Sequence, residues 1–171
     1  MQTEDLGQAP GTPALAEQVA FENHRRWLTF DILGGHLTPA HPLWGYLRSH
    51  GIEVTEFQVF IDGPLPSDVL GINHYVTSER HLDERVHLYP GQVAITGHHH
   101  LAYVDTEAVR VAGVQSVGLE ALLHQTWGRY RLPIAITEAH LGCTREEQLR
   151  WLHQTWQVAN RLQASGVDGS C

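Results

Sequence analysis

The chain has 171 residues, of which 42% are apolar and 18% charged, and a net charge of −8. This balance suits one ordinary domain and disfavours nonspecific nucleic-acid binding, which needs a basic surface and aromatic platforms that the sequence lacks. No apolar run approaches the roughly 18 residues of a membrane span, and no charged-then-apolar leader opens the chain, so a cytoplasmic location is expected by default.

Residues 7–13, containing Gly7, Pro10, Gly11, Thr12 and Pro13, read as a loop. Thr12-Pro13-Ala14-Leu15 can open a helix, with threonine as cap and proline in the first turn. Leu15, Val19, Trp27, Phe30 and Leu33 give a broken helical stripe that Gly34-Gly35 stops. Pro39-Ala40-His41-Pro42 is a turn, and Leu43, Tyr46 and Leu47 predict a short helix ended by Gly51. Residues 52–61 are ambiguous: Val54, Phe57 and Ile61 fit a helix, whereas Phe57, Val59 and Ile61 fit a strand.

Val69–Asn73 reads as a strand, followed by an irregular stretch over residues 76–112. Unstructured connections of that length are uncommon and usually functional or disordered. Residues 118–130 predict a helix with Leu119, Leu122, Leu123 and Trp127 on one face. Residues 145–165 predict another, with Leu149, Leu152, Trp156, Ala159 and Leu162 as its buried face and Gly166 just past its end. Leu123-His124-Gln125-Thr126-Trp127 recurs as Leu152-His153-Gln154-Thr155-Trp156, 29 residues later. That spacing is about one βα unit, so the two copies either occupy equivalent places on neighbouring helices or reflect alike packing demands.

The segment richest in chemistry is Leu132-Pro133-Ile134-Ala135-Ile136-Thr137-Glu138. An apolar, β-branched run reads as a buried parallel strand, and Pro133 suits its start, where no ladder donor is needed. The run ends in a carboxylate. Thr144-Arg145-Glu146-Glu147 then has the pattern of a capping box that starts a helix. Strand, carboxylate, short loop and helix together place Glu138 at the C-terminal end of a strand, the end that carries the chemistry in a (β/α) barrel. A carboxylate there can serve as a nucleophile or a general acid/base; it can equally cap or salt-bridge within the loop. Asp68-Val69-Leu70-Gly71-Ile72-Asn73-His74-Tyr75 is a second apolar run with a polar end.

The two segments, in this order and separation, resemble the D-F-L-G-x-N-Y-Y and P-I-x-I-T-E motifs of glycoside hydrolase family 1, on its sixth and seventh barrel strands. The resemblance spans most of residues 4–168 and favours a helix over residues 52–61, leading into Pro64-Leu65-Pro66. It implies that Glu138 is the nucleophile, that Tyr75 hydrogen-bonds and orients it, and that Asn73, His74 and His140 contact the substrate. His140 at the pocket rim can equally make a structural hydrogen bond. The sequence departs from the family where Glu138-Ala139-His140 replaces Glu-Asn-Gly and where His74 replaces the first tyrosine. Glu138 to Gln148 is similar to a subgroup in which the barrel occurs alone or joined to a reductase of the dTDP-4-dehydrorhamnose type.

Length constrains this resemblance. A full barrel takes about 250 residues. The family's acid/base lies in an Asn-Glu-Pro motif that this sequence lacks, and retaining hydrolysis needs both carboxylates about 5–5.5 Å apart. The expected fold is therefore α/β, a partial (β/α)8 barrel of about strands five to seven with their helices, without the N-terminal half and strand eight. Residues 76–112 become a long insertion at the active-site end. The implied function is that of a retaining glycosidase fragment, inactive alone, whose complete barrel takes a carbohydrate. The alternative is a non-catalytic barrel portion of a sugar-nucleotide fusion protein, acting in binding or assembly. Expected partners are the missing barrel half or further copies of the chain.

No cofactor or metal is expected. Cys143 and Cys171 are too few for a disulfide framework and form no Cys-x-x-Cys pair. His98-His99-His100 lacks the ligand spacing of a zinc site, and three consecutive histidines do not readily converge on one ion, so the triplet reads as a solvated loop.

Overall fold

The computed structural model describes residues 7–10, 12–65, 67–97, 100–166 and 169–170, with the backbone alone for 7–10 and 169–170. Strand β1 (Gly7–Pro10) lies in the segment expected to be a loop. A 3-10 turn, Pro13–Leu15, leads into α1 (Ala16–Arg25). The broken stripe resolves into two helices, since α2 (Leu28–Leu33) follows after a break at Arg26 and Trp27. Helices α3 (Trp44–Ser49) and α4 (Val54–Asp62) come next. The ambiguous segment is therefore helical. The backbone amide of Glu53 donates to the Glu56 carboxylate at 2.7 Å, which satisfies one of the free amides at its start.

Strand β2 (Leu70–Tyr75) then opens the barrel layer. The stretch over 76–112 is not irregular. It contains β3 (Glu79–Asp83), β4 (Ile95–Thr96) and β5 (Ala102–Glu107), with 3-10 turns between them. These strands and β1 form a four-stranded sheet in the order β1-β3-β5-β4, with β1 parallel to β3 and the other pairs antiparallel. Short strands such as Glu79-Arg80-His81-Leu82-Asp83 carry charges at both faces, so no alternation advertises them.

Helix α5 (Gly118–Tyr130) returns the chain to the layer of β2. Strand β6 (Ile134–His140), α6 (Arg145–Ala164) and β7 (Gly169–Ser170) complete it. Strands β2, β6 and β7 are adjacent and parallel, with the order β2-β6-β7. This is a partial (β/α)8 barrel. Gly169–Ser170 pair with Ile134 and Ala135 and supply the start of the strand expected to be missing.

The core lies between this sheet and its helices. Leu70 and Ile72 of β2, Ile134 of β6, Leu119, Leu122 and Leu123 of α5, Leu162 of α6, and Trp27 and Phe30 form one buried cluster. Each fully buried aliphatic side chain of this kind contributes about 1.5–3 kcal/mol. The buried side of α6 differs from expectation. Thr155 and Leu162 are buried and Trp151 and Val158 partly so, while Leu149, Leu152 and Trp156 are 55%, 53% and 54% exposed.

Two polar ties hold the layers in register. Asp31 of α2 is fully buried and accepts from Arg129 of α5 at 2.5 and 3.0 Å, from Tyr130 at 2.9 Å and from His41 at 3.1 Å. Glu79 of β3 accepts from the backbone amides of Val117 and Gly118, the latter at 2.8 Å, and so caps the start of α5.

Candidate active site

Side-chain parity along β2 sets what can meet. Alternate residues of a strand face opposite sides. Leu70 and Ile72 point to the helices and join the core. His74 follows them: it is 4% exposed and stacks on Trp151 of α6, with ring centroids 5.4 Å apart and planes 9° apart. Asn73 and Tyr75 face the other way. Grouped with them on the sequence, His74 therefore lies apart, on the helix side of the sheet. Burial lowers its pKa to about 4, so it stays neutral at neutral pH.

The parity of β6 changes part-way. Its register with β2 runs Leu70–Ile134, Gly71–Ala135 and Ile72–Ile136, then skips to Asn73–Glu138 and Tyr75–His140. Thr137 is thus an extra residue, a bulge of the kind that re-aims side chains beside functional sites. Its effect is visible in the hydrogen bonds. The Thr137 hydroxyl donates to Asn73 Oδ1 at 2.7 Å, and the Tyr75 hydroxyl donates to Glu138 Oε2. Two consecutive residues of β6 reach the same face, which an unbroken strand does not allow. The bond from Tyr75 restricts the Glu138 carboxylate to one orientation. Asn73 is 1% exposed, whereas Thr137 and Glu138 are exposed, so this chain supplies the floor of a site and leaves it open above.

His140 sits opposite Tyr75 in the register but is exposed. It lines a cavity of about 300 Å³ with Leu141, Arg145, Gln148, Leu149 and Leu152, so it looks toward the start of α6. The geometry brings together Glu138, Tyr75, Asn73 and Thr137. Thr137 was passed over on the sequence, and the only signal for it was its place between an apolar strand and a carboxylate. The β6–α6 loop is short because α6 starts promptly: the Thr144 hydroxyl accepts from the Glu147 amide at 3.3 Å. The reciprocal half of the expected capping box is replaced by a bond from Arg150 to the Glu147 carboxylate at 2.7 Å.

Among the described residues, no group of three or more His, Cys, Asp or Glu side chains is placed to hold a metal ion, and no helix is long and apolar enough to cross a membrane. His98 and His99 lie outside the described residues, while His100 is exposed.

Comparison with solved structures bears on the fold. A β-glucosidase from Thermotoga maritima in complex with azafagomine superimposes with a TM-score of 0.61 at 12% identity, over 99% of this chain and 39% of that one. The AHE enzyme from Alicyclobacillus herbarius gives 0.60 at 16% identity, again over 99% and 39%. The Thermotoga enzyme with a methyl acetic acid-substituted glucoimidazole gives 0.59 at 12%, over 99% and 38%. The fold is that of part of a glycosidase-like barrel. This chain spans about 39% of the length of these neighbours. No family model and no curated protein matches the sequence.

Proposed function

We propose that the chain is part of a retaining glycoside hydrolase of the family 1 type, with Glu138 as nucleophile. The observation that carries this reading is the hydrogen bond from Tyr75 to Glu138 across β2 and β6, at the C-terminal ends of adjacent parallel strands. In barrels that end is where reacting groups gather. A carboxylate fixed by a phenolic donor is held ready for in-line attack on an anomeric carbon, with formation of a glycosyl-enzyme that water then hydrolyses. Asn73 has its amide oxygen engaged by the Thr137 hydroxyl beside Glu138. The leaving group needs a proton from a second carboxylate, which Asn-Glu-Pro supplies in the family and which this sequence does not contain. Glu138 to Gln148 further supports the subgroup found alone or joined to a sugar-nucleotide reductase.

The site becomes catalytic when the remainder of a barrel closes over the exposed floor. The test is covalent trapping with a 2-fluoro glycoside in that complete assembly, followed by peptide mass mapping. Label on Glu138 is expected. Label elsewhere, or turnover that survives Glu138→Gln, would overturn the assignment.

A further inference from the structure

A cavity of about 210 Å³ lies behind the candidate site, on the helix side of the sheet. The end of β2, the start of α5 and the middle of α6 enclose it, and Val158 packs there against the core cluster that joins these three elements. Val76, Leu119 and Val158 supply apolar wall, and the stacked rings of His74 and Trp151 add aromatic surface. The exposed Ser116 and Gln154 also border it, so it is reached from solvent. An apolar cavity of about 150 Å³ is enough for benzene, so this one suits a single ring with a substituent.

Two features restrict the occupant. His74 is 4% exposed, yet among the described residues its Nδ1 has no hydrogen-bond partner, and neither has the buried Nε1 of Trp151. The indole nitrogen can only donate. A buried N–H without an acceptor is rarer and worse than a bare nitrogen, so the proton of the neutral His74 ring belongs on Nε2, away from the sealed Nδ1. The ring pair therefore lacks an acceptor rather than a donor. Charge supplies the second restriction. Glu79 lines the cavity, and no Lys or Arg is among the described residues that do, so an anion is repelled. Both Glu79 oxygens already accept from the amides of Val117 and Gly118, so a cation gains little.

We propose that this cavity binds a small neutral aromatic molecule carrying a hydroxyl or carbonyl oxygen, with its ring among Val76, Leu119 and Val158 and its oxygen accepting from His74 Nε2. His74 lies between Asn73 and Tyr75 in β2, so the occupant sits directly behind the floor of the candidate site, on the opposite side of the sheet. The inference does not depend on the glycosidase reading.

The test uses the chain itself, with phenol as the probe. Calorimetric titration should show saturable binding, about tenfold tighter than that of benzene, which offers no acceptor oxygen, and no binding of benzoate. The imidazole resonance that disappears in His74→Phe should report an Nε2–H tautomer and should shift as phenol is added to the wild-type chain. Val158→Trp, which fills the cavity, should abolish binding with an unchanged circular dichroism spectrum. Val59→Trp, at a position 64% exposed on α4, should leave it intact. A wild-type chain without saturable phenol binding would overturn the proposal and leave the cavity to water. So would benzoate binding as tightly as phenol, binding that survives in a folded Val158→Trp chain, or a His74 resonance that phenol does not move.

Discussion

The contact between Tyr75 and Glu138 depends on a single phenolic hydrogen, which makes it separable by mutation. In a completed barrel, Tyr75→Phe should lower turnover by about 1.5–3 kcal/mol of barrier, the worth of a hydrogen bond to a charged group, while Glu138→Gln should abolish it. Burst kinetics on an activated glycoside would read both. His74 supports a prediction of a different kind. Its pKa falls from 6.5 in the unfolded chain to about 4 in the fold, so the unfolded state binds more protons between those values. Stability is therefore fully present above about 6.5 and drains away as pH falls toward 4, by about 3 kcal/mol at 1.36 kcal/mol per unit. His74→Phe, which keeps a ring against Trp151, should flatten urea-midpoint-against-pH curves in that window. His24 and His81, also lowered by burial, leave a residual slope; a slope as steep as wild type would refute the assignment to His74. The site residues were partly legible in the sequence. Glu138, Tyr75 and Asn73 meet, whereas His74, between Asn73 and Tyr75 in the strand alternation, belongs to the other face.

Among the elements, α5 and α6 show what periodicity conveys and what it omits. Leu119, Leu122, Leu123 and Trp127 were read correctly as one packed face because α5 has neighbours on two sides. The same reasoning failed for α6, where Leu149, Leu152 and Trp156 have the spacing of a core row but no described neighbour to cover them. A hydrophobic stripe records the partner a helix is suited to, not whether that partner is present. The α2–α5 tie was invisible in sequence because Asp31 and Arg129 lie 98 positions apart. Burial by itself would raise the Asp31 pKa, but hydrogen bonds from Arg129 and His41 outweigh it and hold the carboxyl below its ordinary 3.8. The stability this contributes is present above pH 3.8 and is lost as pH falls through the lower folded value. Arg129→Met leaves a fully buried carboxylate without its cation and should cost about 3–5 kcal/mol in urea unfolding. Thr144→Ala, which removes only the cap of α6, should cost about 1 kcal/mol; a loss as large as that of Arg129→Met would show that the α6 terminus carries more than a cap.

At the level of the whole molecule, three parallel strands packed on helices on one side leave Thr137 and Glu138, on the opposite side, exposed. The chain alone should therefore hydrolyse no nitrophenyl β-glycoside above buffer controls, and activity abolished by Glu138→Gln would contradict this. The barrel character was legible through the family resemblance that the two strand-end motifs carry. The second sheet was not, since its strands are short and charged, and one of them, β1, joins β3 from far away in sequence. That sheet has a consequence for how this architecture can change over time. Segments between barrel strands and helices are ordinarily where length varies freely. Here the excursion returns a buried carboxylate, Glu79, to the amides that begin α5. Removing the excursion would strip a helix on the opposite layer of its terminal acceptor. Drift in length is more tolerable at the exposed residues 93 and 94, just before β4. At Glu79 it is not, and an apparent ornament on the barrel is bound to it as firmly as a strand.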